Sequence, residues 1–393
     1  MDLASAERNP KPEAFSEVRI VDADSHISEW ADLWTARAPA RFRDRVPQIK
    51  LIDGKPRWVI DGDKSLGVSS AIAAVLKDGA KEGGMKFLER GLEEVHPGSY
   101  DVKARVAYLD SVGISAQIAY PNILGFGGQK AFLVDPELRA VSTEIFNDAM
   151  AEFQADSGDR IFPMTLLPWW DMERSIAEAR RGRKMGLRGV NMNPDPHLQG
   201  LPDFSDPYWH PLWEVCCELD LPVNFHIGAS DESIDWFGSG AWPSHSFEKK
   251  FAFASIMLFG GNMRVLANFI LSGVLERFPT LKLVSVESGI GWVPFFLEGI
   301  EYLMREIGVP RATPAREIFR RQMYACCWFE RDGLADTVRR VGAENVLFET
   351  DFPHPTCLYP GPLAQVAEAA SELTLAERRS VFGGNTTRVY NLP

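Results

Sequence analysis

The sequence predicts an α/β chain that closes into a distorted (β/α)8 barrel with a long insertion after its first strand. Short apolar runs alternate with helical patterns along most of the 393 residues, as parallel strands joined by crossover helices do. Eight such runs can be placed, the number that favours a closed barrel over an open sheet. Three of them, far apart in the chain, end in metal-ligand chemistry: Asp24-Ser25-His26, His226 and Asp351.

The strands are read at residues 18–24, 114–121, 160–168, 186–193, 222–227, 281–288, 322–328 and 345–351. Several are nearly continuous apolar runs, as expected of parallel strands covered by helices. Helical spacing occupies residues 137–157, 172–184, 211–220 and 361–373. No G-x-G-x-x-G or phosphate-loop pattern follows an early strand, which weakens a dinucleotide-binding alternative. The Gly127-Gly128 pair reads as a flexible loop.

Residues 1–17 read as a surface tail of mixed charge, and residues 18–393 as a single barrel domain. Within it, residues 27–113 are too long for an ordinary βα connection and are expected to form a cap or rim. A second long segment, residues 228–280, carries an apolar helical pattern that could bury one face on the barrel and another on the cap or a second subunit. A homo-oligomer, a dimer first, is the expectation.

The net charge of −12 and the lack of a basic tract argue against nucleic-acid binding. Neither a signal-peptide core nor an uninterrupted membrane-length apolar run is present, so a soluble cytoplasmic protein without membrane association is expected. The five cysteines include no CxxC pair and read as reduced, structural thiols.

Asp24 and His26 lie two residues apart and so share a face of strand one. Alone, such a pair is explained nearly as well by a hydrogen bond between them. His226, which ends an apolar run before Ile-Gly, and Asp351, at the end of the last strand, change that balance. Two carboxylates and two imidazoles neutralise one divalent ion and leave a coordination position open. Zinc is the expected ion, with Mn2+ or Fe2+ as alternatives, and Asp351 could also take a proton from bound water.

VDADSH, LRGVNMNP, DPYWHPLWEVCCELDLPVNFHIG, ESGIGWVPFFLE, ETDFPHP and the closing VFGGNTTRVY together resemble the amidohydrolase-related family, in the branch of the aromatic acid decarboxylases and aminocarboxymuconate-semialdehyde decarboxylase. The resemblance runs from residue 18 to residue 392 and implies a distorted TIM barrel holding one divalent ion, commonly zinc and sometimes manganese. It implies Asp24, His26, His226 and Asp351 as the ligands. Two positions depart from the family pattern. Asp24 stands where many relatives use histidine or glutamate, and Glu287 where related decarboxylases often carry histidine.

Around that centre, His354 and Glu287 are expected to exchange protons. Asn191, Asn193, His197, Trp169, Trp236, His245 and Trp292 are candidate substrate contacts, because each follows or ends a strand on the same side of the barrel. For each, packing or loop anchoring is the competing reading. The first expectation for the reaction is hydrolysis of a hydrophobic or aromatic small molecule by metal-activated water. Nonoxidative decarboxylation of an aromatic or unsaturated acid is the close second, and a noncatalytic interaction barrel the third.

Overall fold

The computed structural model describes residues 11–230, 242–309 and 312–393. Strand β1 spans Val21–Asp22. An antiparallel sheet follows in the insertion: β2 (Gln48–Ile52), β3 (Lys55–Ile60) and β4 (Lys64–Val68), in the order β2-β3-β4. The remaining strands are β5 (Ala116–Ala119), β6 (Ile161–Pro163), β7 (Thr165–Leu166), β8 (Val190–Asn191), β9 (Val223–His226), β10 (Leu283–Val286), β11 (Met323–Cys327) and β12 (Val346–Phe348).

Outside the insertion every pairing among the described residues is parallel. β1, β5 and β6 form one run, and β7 through β12 form a second, each strand beside its neighbour in sequence. Met164 joins the two runs by interrupting the third barrel strand between β6 and β7, and its N–H donates to Ala119 O at 2.9 Å. Closure comes where the first strand meets the last: Ala23 N–H donates to Phe348 O at 2.8 Å, and Ser25 bridges Phe352. The chain is thus a closed eight-stranded α/β barrel. The strands are shorter than their apolar runs suggest, because several runs continue into the loops that build the site.

Helices Pro136–Asp156, Met172–Met185, His210–Glu218 and Pro362–Ser371 fall where helical spacing places them. Asp135 and Asp171 accept N–H bonds from the first turns of the first two, which satisfies donors with no partner inside the helix. Helix Val102–Val112, at the end of the long insertion, leads directly into β5 as a barrel helix. Trp34 Nε1 donates to Ser142 O at 2.9 Å, and Trp58 is fully buried, so the insertion shares the barrel's outer core.

A separate apolar cluster fills the barrel interior, where Val389, Tyr390 and Leu392 of the C-terminal segment meet Ile118, Val284 and Cys326. That segment also backs the first strand. A Cβ on Gly383 would lie 2.1 Å from Arg19 O, a distance that no side chain can occupy. Gly383→Ala is therefore expected to displace the start of β1 and destabilise the protein by about 1–3 kcal/mol, read as a lowered thermal midpoint.

Helix Phe247–Ser272 is long and apolar enough by length and composition to cross a membrane, whereas the sequence pattern shows the stretch interrupted by polar residues. Its inner face is used as a barrel helix: Leu266, Phe269 and Ile270 are buried, and Asn262 Nδ2 donates to Phe225 O at 2.9 Å. All five cysteines are free, four of them buried.

Candidate metal centre

β1 ends at Asp22, and the chain bends at Ala23 before the ligands begin. Asp22 is a structural carboxylate: it accepts from Thr350 N (2.8 Å), Gln117 Nε2 (2.6 Å) and Asp24 N (3.2 Å), and burial pushes its carboxyl up to about 7. These bonds lock the end of the first strand to the last. Beyond the bend, Asp24 and His26 meet His226 from the end of β9, Glu287 just past β10 and Asp351 just past β12, all of them buried. Glu287 and Asp351 are both held at positive φ, 53° and 57°. Non-glycine residues adopt that conformation only where the surroundings impose it, which is common at functional sites.

The donor atoms converge. His26 Nε2 lies 3.0 Å from His226 Nε2 and 3.6 Å from both Asp24 Oδ1 and Asp351 Oδ1. His226 Nε2 lies 3.5 Å from Asp24 Oδ2 and 3.6 Å from Glu287 Oε2. His226 Nδ1–H donates to Ile227 O at 2.7 Å, which leaves Nε2 as a lone-pair donor. Asp24 Oδ1 and Oδ2 and Asp351 Oδ1 are buried without a hydrogen-bond partner.

Lone pairs this close repel unless a cation lies among them. With metal–ligand bonds of about 2.0–2.2 Å, neighbouring donors are separated by about 3.0–3.5 Å. The observed 3.0–3.6 Å separations come close to that, and donor atoms of Asp24, His26, His226 and Glu287 all lie within 4.8 Å of one another, so these four fit one divalent ion, while Asp351 groups with His26 and His354. Electrostatics agree. Burial, then Asp351, hold the Asp24 and Glu287 carboxyls well above the ordinary range. Burial, then His354 and His226, hold His26 well below its ordinary value, in the neutral form a ligand needs.

His354 stacks on His26 at 3.6 Å between ring centroids, and its Nδ1 is 3.2 Å from Asp351 Oδ1. Asn122 fixes the other side of that ring. Its Nδ2 donates to Ile27 O (2.8 Å), so its Oδ1 faces His354 Nε2 (2.8 Å), which must carry the hydrogen. Glu29 Oε1 in turn accepts from Asn122 N and Ile123 N at 2.9 and 3.0 Å, and burial pushes its carboxyl up to about 7.

The Thr356 hydroxyl donates to Asp351 Oδ2 and lies 3.2 Å from Glu287 Oε1. Thr356→Val keeps the shape but removes the hydroxyl. It is expected to lower kcat about tenfold or more with metal content unchanged, checked by kinetics alongside metal analysis.

An apolar cavity of about 290 Å³ opens over Glu287, His354 and Thr356. The candidate substrate contacts lie elsewhere. Asn191 Nδ2 donates to Phe126 O, and the fully buried Trp169 donates from Nε1 to Gly127 O at 2.7 Å, so both hold the loop that carries Phe126 into the cavity wall. Asn193 Oδ1 accepts from Asp195 N. Trp292 Nε1 is bound to Ser288 O, and His197 and His245 are solvent-exposed. None of these six lines the cavity; for Asn191 and Trp169 the loop carrying Phe126 stands in between. Trp236 lies outside the described residues.

The loop after β5 is wedged rather than flexible at Gly127, where a Cβ would sit 2.7 Å from Ala229 O and Asn193 Cα. Sequence reasoning missed Phe126, whose ring centroid is 4.5 Å from that of His226, together with Asn122 and Glu29. The glycines flanking Phe126 were the available signal.

A closed α/β barrel whose strand ends converge carboxylates and imidazoles on one point defines a metal-dependent barrel enzyme. The chain matches the Amidohydrolase family over residues 95–392 and belongs to it. Asp24 and His26 precede the matched region and are placed by geometry. Among curated proteins, the chain is 24% identical over 306 residues to a gamma-resorcylate decarboxylase of Polaromonas sp., covering 73% of this chain and 86% of that protein. It is 25% identical to a 2-keto-4-carboxy-3-hexenedioate hydratase of Sphingobium sp., covering 57% and 62%. Among solved structures, an amidohydrolase from Mycobacterium avium subsp. paratuberculosis superposes with TM-score 0.76 at 20% identity, covering 95% and 99%. A dihydroxybenzoic acid decarboxylase from Polaromonas sp., solved with bound manganese and the inhibitor 2-nitroresorcinol, superposes with TM-score 0.56 at 17% identity, covering 95% and 97%.

Proposed function

We propose that the protein is a metal-dependent, nonoxidative decarboxylase of an aromatic or unsaturated carboxylic acid. The observation that carries this is the placement of the ion-binding cluster at the floor of an apolar cavity. An acid whose carboxylate faces the cluster leaves its carbon skeleton in a space poor in water, beside Asp351 and His354. The decarboxylases among the relatives support this reaction over the hydrolysis first expected from the sequence.

Asp24, His26, His226 and Asp351 would hold the ion, with Glu287 close enough to His226 to share it. When bound, a divalent ion supplies positive charge that draws in the substrate carboxylate and a neighbouring oxygen. The donor set suits zinc, and the solved relative with manganese supports that ion equally. Phe126 and the cavity walls exclude water. Asp351, oriented by the Thr356 hydroxyl on Oδ2 and with His354 Nδ1 3.2 Å from Oδ1, carries a proton to the carbon that bears the carboxylate. That C–H bond forms, the bond to the carboxylate breaks with its electron pair left on the skeleton, and CO2 leaves. His354, fixed by Asn122, returns a proton from solvent to Asp351.

Hydration or hydrolysis is the second reading. Glu287, which stands where related decarboxylases often carry histidine, favours it, as does the hydratase relative. Turnover in D2O and in H2(18)O separates them. Decarboxylation places one deuterium at the carbon that lost CO2 and no labelled oxygen in the product. Labelled oxygen in the product without CO2 release would sink it.

A further inference from the structure

We infer that the substrate carries a hydrocarbon body about two rings in size, with its polar groups confined to the edge that faces the metal centre. This rests on the proposed decarboxylation only in assuming that an acid binds with its carboxylate at the cluster.

Size comes first. An engineered cavity of about 150 Å³ lined by Leu, Ile and Phe holds one benzene, and this cavity is about 290 Å³. One substituted ring leaves much of it unfilled. Its far walls come from segments outside the barrel strands: Phe87 from the insertion, and Phe251, Leu258 and Phe259 from helix Phe247–Ser272. Phe87 and Phe251 meet edge to face at 6.2 Å, closing the two segments over the space. Trp328 and Phe126 complete the apolar lining.

Polarity comes second. Each polar side chain lining the cavity has a protein partner among the described residues, Glu287 through the Thr356 hydroxyl. Gln129 accepts from Gly127 N and donates to Gly228 O, both at 3.0 Å. Lys130 Nζ donates to Leu66 O at 2.6 Å, and Ser255 Oγ to Phe251 O at 2.9 Å. Asn122 is held between Ile27 O and His354, and Thr356 between Asp351 and Glu287. A hydroxyl set against Phe87, Phe251, Leu258 and Phe259 would exchange water for an apolar wall, a net loss. Hydrocarbon in the same place gains by burial.

The test is calorimetric binding to the manganese-loaded protein of three acids that share one metal-facing edge. These are 2-hydroxybenzoate, 1-hydroxy-2-naphthoate and 2,5-dihydroxybenzoate. The naphthoate is expected to bind at least about tenfold tighter than 2-hydroxybenzoate, and the dihydroxy acid about fivefold weaker. Leu258→Asn, with fold checked by circular dichroism, is expected to shrink the naphthoate's advantage. If that variant misfolds, the wild-type series decides alone. A dihydroxy acid that binds as tightly as the naphthoate overturns the inference. CO2 release is scored separately. Tight naphthoate binding without CO2 defeats the reaction reading and leaves the substrate class standing. CO2 released preferentially from the dihydroxy acid does the reverse.

Discussion

Asp351→Asn is expected to lower kcat by about 10²–10⁴-fold, the span associated with removing a positioned proton carrier, while leaving the fold intact. Asparagine keeps an oxygen for the ion but can neither hold nor release the proton. Activity should therefore fall much further than metal content. Asp351 also raises the Asp24 and Glu287 carboxyls, next after burial. Removing its charge relieves like-charge crowding, so the metal-free variant should melt no lower than metal-free wild type. His226→Ala gives the complementary result, losing metal and activity together. Kinetics, elemental analysis and thermal melts on both variants check this. Full activity in Asp351→Asn would rule out its role as the proton carrier.

The second large effect is expected from stripping the ion. At a free concentration near 100 times its dissociation constant, a ligand that binds only the folded state stabilises it by about 2.7 kcal/mol, a rise of several degrees in melting temperature. The size of that rise should depend on pH. Asp22, Asp24 and Glu287 all have carboxyls raised in the fold by burial. A raised carboxyl stabilises the metal-free fold at low pH, and that contribution is lost as pH climbs from the unfolded value through the folded one. For Asp22 this window runs from the ordinary carboxyl range up to about 7. The ion needs Asp24 ionised, so binding releases protons and tightens as pH rises. The gap between loaded and stripped melting temperatures should therefore widen from pH about 5.5 to about 8. A gap that narrows over that range would contradict the site's electrostatics.

The proposed ligands were legible because they sit where the physics of a parallel barrel puts functional groups, at the carboxyl ends of strands whose apolar runs announce them. Asp24, His26, His226 and Asp351 needed only strand ends and period-two spacing to be grouped. The cavity needed more. Its walls are formed by Phe87 in the insertion and Leu258 in a helix more than one hundred residues away, and nothing in local periodicity pairs those segments. Trp169 and Asn191 show the opposite limit. Their positions at strand ends were read correctly, yet the loop carrying Phe126 lies between them and the cavity. Strand position gives a side chain's direction, and only the folded loops decide what lies in its way.

The seam between the first strand and the last also sets which parts of the chain an ion would join. Asp24 O accepts the N–H of Asp351 at 3.0 Å, so two of the four proposed ligands face each other across a seam joining residues 327 positions apart. A nascent chain still lacking residue 351 carries three of the four proposed ligands without the seam that holds the fourth beside them. With that ligand set, an ion seated among them would clasp the two ends of the barrel together.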